Sequence, residues 1–264
     1  LERALALMPD RSSRERTALL LELVHACDIT GDRELQTRAI DEGLQHLEAL
    51  PDLDGQARVL IAAGDLATKT GHHPQALTFL SDALLRARRA ANPDQQAEIL
   101  IRLGDLEVRT GDVQAARMHF GQGLELARAG RDRVQEALAL DGLGFVLPSV
   151  GGSRRHAEAY LLDALHVRRA SEDRFGEARS LANYLAFLQT GGAFDRVMEL
   201  SDQALAANEA VGYRLGAAVV RAAQGLAVCA LGDFASARQL ITAAIDHFRS
   251  MGDADGVAVY MTSL

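Results

Sequence analysis

The chain has 264 residues, 48% hydrophobic and 24% charged, which is enough apolar side chain to bury a core and too balanced a charge for intrinsic disorder. A formal net charge of −8 repels polyanions, and aromatics at 5% with no Trp leave few platforms for stacking bases, so direct nucleic-acid binding is disfavoured. Cys27 and Cys229 lie far apart without metal-ligand spacing, which fits free thiols in a cytoplasmic protein, and neither a basic leader nor a membrane-length apolar run is present.

In chain order, the sequence opens inside a helical pattern (Leu1, Leu5, Met8) and closes inside another at Leu264, as a piece of a longer protein would. Between these ends a single period organises the chain. Gly31, Gly71, Gly111, Gly152, Gly192 and Gly232 recur in steps of 40, 40, 41, 40 and 40. Gly43, Ala83, Gly123, Ala164, Ala204 and Ala244 keep the same steps, and Ala76, Ala116, Ala157, Val197 and Ala237 run in phase with them. All three columns absorb their extra residue at the turn Pro148-Ser149-Val150-Gly151-Gly152, where an insertion disturbs least. The units fall at approximately 13–51, 53–91, 94–130, 133–171, 174–211 and 214–250, a single repeat domain over residues 1–264 with partial helices at both ends.

Each unit reads as two helices. Residues 96–106 place their apolar side chains at helical spacing, Gly111-Asp112 stops that helix and caps the next, and a second helix from about 113 to 129 gathers Ala116, Phe120, Gly123, Leu124 and Ala127 on one side. Gly130-Arg131-Asp132 closes it. Gly64, Gly104, Gly144 and Gly225 fall inside first helices, where glycine costs about 1 kcal/mol relative to alanine. Close helix crossing supplies the compensating reason, with these glycines expected to face Ala or Gly of the second helices. Leu185 breaks the column, so the fourth and fifth turns are expected to be kinked or looser. No strand-like alternation occurs, and the prediction is an all-α chain.

Three segments carry a family likeness: Leu103-Gly104-Asp105-Leu106, Asp173-Arg174-Phe175-Gly176-Glu177-Ala178, and Gly232-Asp233-Phe234-Ala235-Ser236-Ala237-Arg238. They resemble the long, 40-residue class of tetratricopeptide repeat, which is similar to the helical arrays of bacterial signalling ATPases, maltose-regulator-like transcription factors and animal polarity adaptors. The resemblance implies a right-handed α-solenoid of antiparallel helix pairs, about six repeats long. Gly151-Gly152-Ser153 and Gly191-Gly192-Ala193 depart from it, lacking the Gly-Asp step.

Motifs of catalysis are missing. Gly142-Leu143-Gly144 lacks the strand and third glycine of a dinucleotide fingerprint, His72-His73 sit in a turn, and His156, Glu158 and His166 are not at the spacing of a helical metal pair. The reading is therefore a non-enzyme with no cofactor and no metal. The resemblance implies that the first helix of each pair lines a concave groove, and repeat by repeat it selects Arg58, Asp65 and Lys69; Glu98, Asp105 and Arg109; Asp141 and Phe145; Arg179 and Gln189. Val219, Ala222, Leu226 and Cys229 would continue that wall as an apolar section. Such a groove suits a protein or peptide partner. The functional expectation is the interaction scaffold of a bacterial regulatory or signalling protein. Two alternatives stand beside it: a small-molecule or peptide sensor, and self-association through the terminal repeats.

Overall fold

A computed structural model describes residues 14–30, 32–45, 48, 53–250 and 254–261. Gly31 of the glycine column, the pattern at Leu1, Leu5 and Met8, and Leu264 lie outside the described residues. Within them the chain forms α-helices and one 3₁₀ turn, with no strand. The helices are α1 (Arg14–Thr30), α2 (Arg33–Gln45), α3 (Leu53–Lys69), α4 (His73–Arg89), α5 (Pro93–Thr110), α6 (Val113–Gly130), α7 (Arg133–Val146), α8 (Arg154–Ala170), α9 (Arg174–Thr190), α10 (Phe194–Ala210), α11 (Arg214–Ala230), α12 (Phe234–Ser250) and α13 (Ala254–Met261). No helix among the described residues is long and apolar enough to cross a membrane. The contacts divide into two compact units, Leu1–Gln135 and Glu136–Leu264, the division falling within α7.

The turns explain the period. Within a pair, the first helix ends in a double hydrogen-bonded cap: the Asp112 N–H donates to Glu107 O at 2.9 Å and the Gly111 N–H to Val108 O at 3.2 Å. This cap needs a left-handed residue, and Gly71, Gly111, Gly151, Gly192 and Gly232 supply it with φ between 73° and 96°. In the fourth repeat the capping glycine is thus Gly151, not Gly152. Gly152 is the inserted residue, lying between that cap and Ser153, the N-cap of α8. Aspartates open the next helices as expected: Asp32, Asp112 and Asp233 accept from the N–H groups of Leu35, Ala115 and Ser236 at 3.0–3.1 Å.

The turns between pairs make the same double cap with other residues, as in Arg131 N–H to Arg128 O at 3.2 Å and Asp132 N–H to Ala127 O at 2.9 Å. There, among the described residues, the left-handed position is held by Ala91, Arg131 and Glu172, at φ 51°, 58° and 56°, and by glycine at Gly212. Gly130 is still helical, so Arg131 and not Gly130 makes the cap.

In the first unit the core is Leu60, Leu80, Leu84, Ile99, Leu103 and Leu106 with alanines between them, extended by Leu20, Leu23, Val24, Cys27 and Ile40. In the second it is Leu161, Leu165, Leu181, Leu185, Leu188 and Val220, with Phe248 packed beside Ala218, Ala222 and Ala244. Each fully buried side chain of this size contributes about 1.5–3 kcal/mol.

The helical glycines meet a large side chain of the second helix first; the expected Ala is a neighbour only at Gly64 and Gly144, through the backbone oxygens of Ala76 and Ala157. A Cβ built on Gly64 would lie 2.8 Å from Leu80, on Gly104 2.8 Å from Phe120, on Gly144 2.6 Å from Leu161, and on Gly225 2.7 Å from Ile241. Each glycine is a socket for a large side chain of the second helix. The exception obeys the same rule with the sizes exchanged. Leu185 takes the glycine position, Ser201 takes the position held elsewhere by Leu80, Phe120, Leu161 and Ile241, and both are buried, at 0% and 1% exposure. The fifth pair, α9–α10, keeps two unbroken 17-residue helices.

Candidate functional site

Side chains on the exposed flank of α1, α3 and α5 surround a cavity of about 600 Å³ in the first unit, closed at one side by the α6–α7 turn. Four of the expected groove residues line it: Arg58, Asp65 and Lys69 from α3, and Glu98 from α5. They converge because the 40-residue period returns the same face of each first helix to the same side of the stack. Asp105 and Arg109, further along α5, are exposed and lie outside the lining.

Arg102, which the sequence reading passed over, organises two of these acids. Its Nη1 donates to both Asp65 oxygens at 2.8 and 2.7 Å, while its Nη2 donates to Glu98 Oε1 at 2.7 Å and its Nε to the same oxygen at 3.3 Å. The guanidinium therefore ties one acid of α3 to one of α5. Burial pushes the Asp65 carboxyl above the ordinary carboxylate range, against the pull of Arg102 and Lys69. Burial also works against the Arg102 charge, but Asp65 and Glu98 more than offset it and its pKa is raised. Two signals pointed to Arg102: its i, i+4 spacing from Glu98 and its place one repeat after Ala62, which also lines the cavity.

In the second unit the expected residues separate. Phe145 is 66% exposed on α7, while Arg179 and Gln189 are half-buried on α9. Asp141 corrects the groove assignment. It is 6% exposed and sits in the column of Ile61, Ile101, Ala182 and Ala222, all buried positions. There Arg168, 2% exposed, donates through Nη2 to Asp141 Oδ2 at 3.2 Å, through Nη1 to Asp173 Oδ2 at 2.8 Å and through Nε to Ser180 Oγ at 2.8 Å. Ser180 Oγ in turn donates to Asp141 Oδ2 at 2.7 Å, while Asp141 Oδ1 stays buried without a donor. Desolvation raises the Asp141 pKa even so, against Arg168, Ser180 and Arg179. Gly176 makes the room: a Cβ there would collide with the Arg168 guanidinium and with Asp173. One repeat later Gly216 does the same for buried Asn208.

The apolar section is partly as expected. Val219, Leu226 and Cys229 are half-buried, but Ala222 is wholly buried. Nearby, Glu158 accepts from Tyr184 Oη at 2.8 Å and from Arg196 Nη1 at 2.6 Å. Burial and the neighbouring Glu158 push the Tyr184 hydroxyl up to about 12. Among the described residues no group of three His, Cys, Asp or Glu is placed to hold a metal ion.

With this geometry established, comparison places the fold. Residues 55–129 match the tetratricopeptide repeat family. No curated protein sequence matches the chain. Several solved structures share the architecture at low identity. BtubC from P. vanneervenii has a TM-score of 0.65 at 18% identity, over 88% of this chain and 92% of that one. NprR in complex with its cognate peptide NprX has a TM-score of 0.74 at 12% identity, over 98% and 74%. A Pyrococcus horikoshii signal transduction ATPase with numerous domains, bearing a tetratricopeptide repeat sensor, has a TM-score of 0.69 at 12% identity, over 98% of this chain and 40% of that one.

Proposed function

We propose that this chain is a peptide- or protein-binding module and that the first-unit cavity is where it holds its partner. The observation that carries the reading is the cavity wall: side chains of opposite sign fixed across α3 and α5 by the Asp65–Arg102–Glu98 bridge. Preorganised charges lose little freedom on binding, so they favour association more than mobile ones do. A volume of about 600 Å³ holds a few residues of an extended segment. The peptide held by the similar array of NprR supports this class of ligand. We assign the module to a bacterial regulatory or signalling protein in the cytoplasm, with binding and no catalysis as its task. Two free cysteines suit a reducing compartment.

Charge reversal separates the cavity from the rest of the face. Arg58→Glu should weaken partner capture about tenfold, while Arg109→Glu, outside the lining, should leave it within about twofold. Both variants should keep the wild-type circular dichroism spectrum. Equal capture by wild type and Arg58→Glu would place binding elsewhere.

A further inference from the structure

Where the α6–α7 turn meets the start of α5, the cavity gathers hydrogen-bond acceptors without matching donors. Gln95 is 7% exposed, and its amide nitrogen donates to Asp54 O at 3.2 Å, yet its Oε1 is buried with no donor. Such an orphan costs about 1–3 kcal/mol in the empty protein. Beside it on the same wall stand Asp94 and Asp132. Asp94 Oδ1 lies against Gly130, where a Cβ would come within 2.4 Å, and Asp94 has no ion-pair partner among the described residues. Asp132 spends a single oxygen, Oδ1, on the Val134 and Gln135 N–H groups, both at 3.0 Å, which leaves Oδ2 outside that cap.

The charge balance points the same way. The cavity is lined by four carboxylates, Asp65, Asp94, Glu98 and Asp132, against Arg58 and Lys69 of α3; Arg102 already bridges Asp65 and Glu98, which leaves Asp94 and Asp132. These acids do not cluster tightly enough with a third ligand to coordinate a bare metal cation. A larger cation that binds through hydrogen bonds along three directions suits them.

Building on the peptide-binding reading, we infer that this end of the cavity binds a primary ammonium of the ligand, with Asp94 and Asp132 accepting two of its hydrogens and Gln95 Oε1 the third. The ammonium is the N-terminal amine of a peptide or the side chain of a lysine. Either gives the buried amide oxygen the donor that the protein itself does not supply.

Four fluorescently labelled forms of one short neutral peptide test this by polarisation against the full chain: free amine, N-acetylated, N-acetylated with one lysine, and N-acetylated with one glutamate. The free-amine form, the lysine form or both should bind about tenfold more tightly than the acetylated neutral form. That preference should fall by about fivefold or more in Asp94→Asn and in Asp132→Asn, the second retaining an N-cap. It should also shrink with added salt. Preference for the free amine alone identifies a peptide terminus; preference for the lysine form alone identifies a side chain. Equal binding of all four, or tightest binding of the glutamate form, overturns the ammonium site and leaves the peptide groove standing. No binding by any form at millimolar concentration overturns both.

Discussion

Alanine in place of Gly104 and alanine in place of Gly121 should move stability in opposite directions, although both glycines lie in the same helix pair. Helix propensity alone favours each replacement by about 1 kcal/mol. At Gly121 a new Cβ meets nothing within 4 Å, so the full gain should appear. At Gly104 the new methyl meets three carbons of the Phe120 ring at 2.8–2.9 Å. That ring is 1% exposed, so it cannot swing out into solvent without leaving the core. Overpacking of a core costs about 1–3 kcal/mol, and three simultaneous contacts with a rigid ring belong in the upper half of that range. The net expectation is a loss of about 1–2 kcal/mol for Gly104→Ala. Urea denaturation followed at 222 nm reads both changes as shifts in midpoint at constant slope. Removing the knob should relieve the socket: in a Phe120→Ala background Gly104→Ala should cost under about 0.5 kcal/mol, a coupling visible in the double-mutant cycle. If Gly104→Ala raised the midpoint as Gly121→Ala does, the socket account of the glycine column would be wrong.

The two kinds of turn predict another pair of opposite effects: Ala91→Gly should stabilise by up to about 1 kcal/mol by relieving a left-handed alanine, and Gly111→Ala should destabilise by about the same, both read by thermal melts. Arg168→Met should cost about 3–5 kcal/mol, because it leaves Asp141 a buried charge without its guanidinium; a loss under about 1 kcal/mol in urea would refute that placement. The Asp141 pKa also sets a pH dependence. Its folded value is raised above the ordinary 3.8, so the folded state holds more protons than the unfolded state between those two values. Asp141 therefore contributes stability below about pH 3.8 that is lost as pH rises through the folded pKa. The melting temperature of wild type minus that of Asp141→Asn should increase as pH falls through that window; a decrease on acidification would show the pKa to be lowered instead.

Much of the fold was legible in the sequence because glycine is informative wherever only glycine fits. Gly71, Gly111, Gly192 and Gly232 announce left-handed caps that recur once per helix pair. The other caps gave no such sign, since Ala91, Arg131 and Glu172 hold the same conformation with ordinary side chains. The helical glycines were correctly read as close contacts, but their nearest partners are not the alanines. Period marks a position as small without saying what fills the space, and the filler proved to be Leu80, Phe120, Leu161 or Ile241.

The candidate site was legible to a lesser degree. Arg58, Asp65, Lys69 and Glu98 followed from periodicity and the family resemblance, yet Arg102 and Gln95 were missed and Asp141 was misplaced. One residue of helical phase separates a buried position such as Asp141 from the more open Gly142, and a charged residue biased the reading toward solvent. The sequence by itself determined the all-helical repeat, its period, its turns and the position of its insertion, because these follow from local backbone preferences repeated in register. Only the tertiary structure decided which large side chain fills each glycine socket, which acid is buried with Arg168 and which amide oxygen lacks a donor. Those properties belong to pairs of residues brought together from different helices, and no single position along the chain carries them.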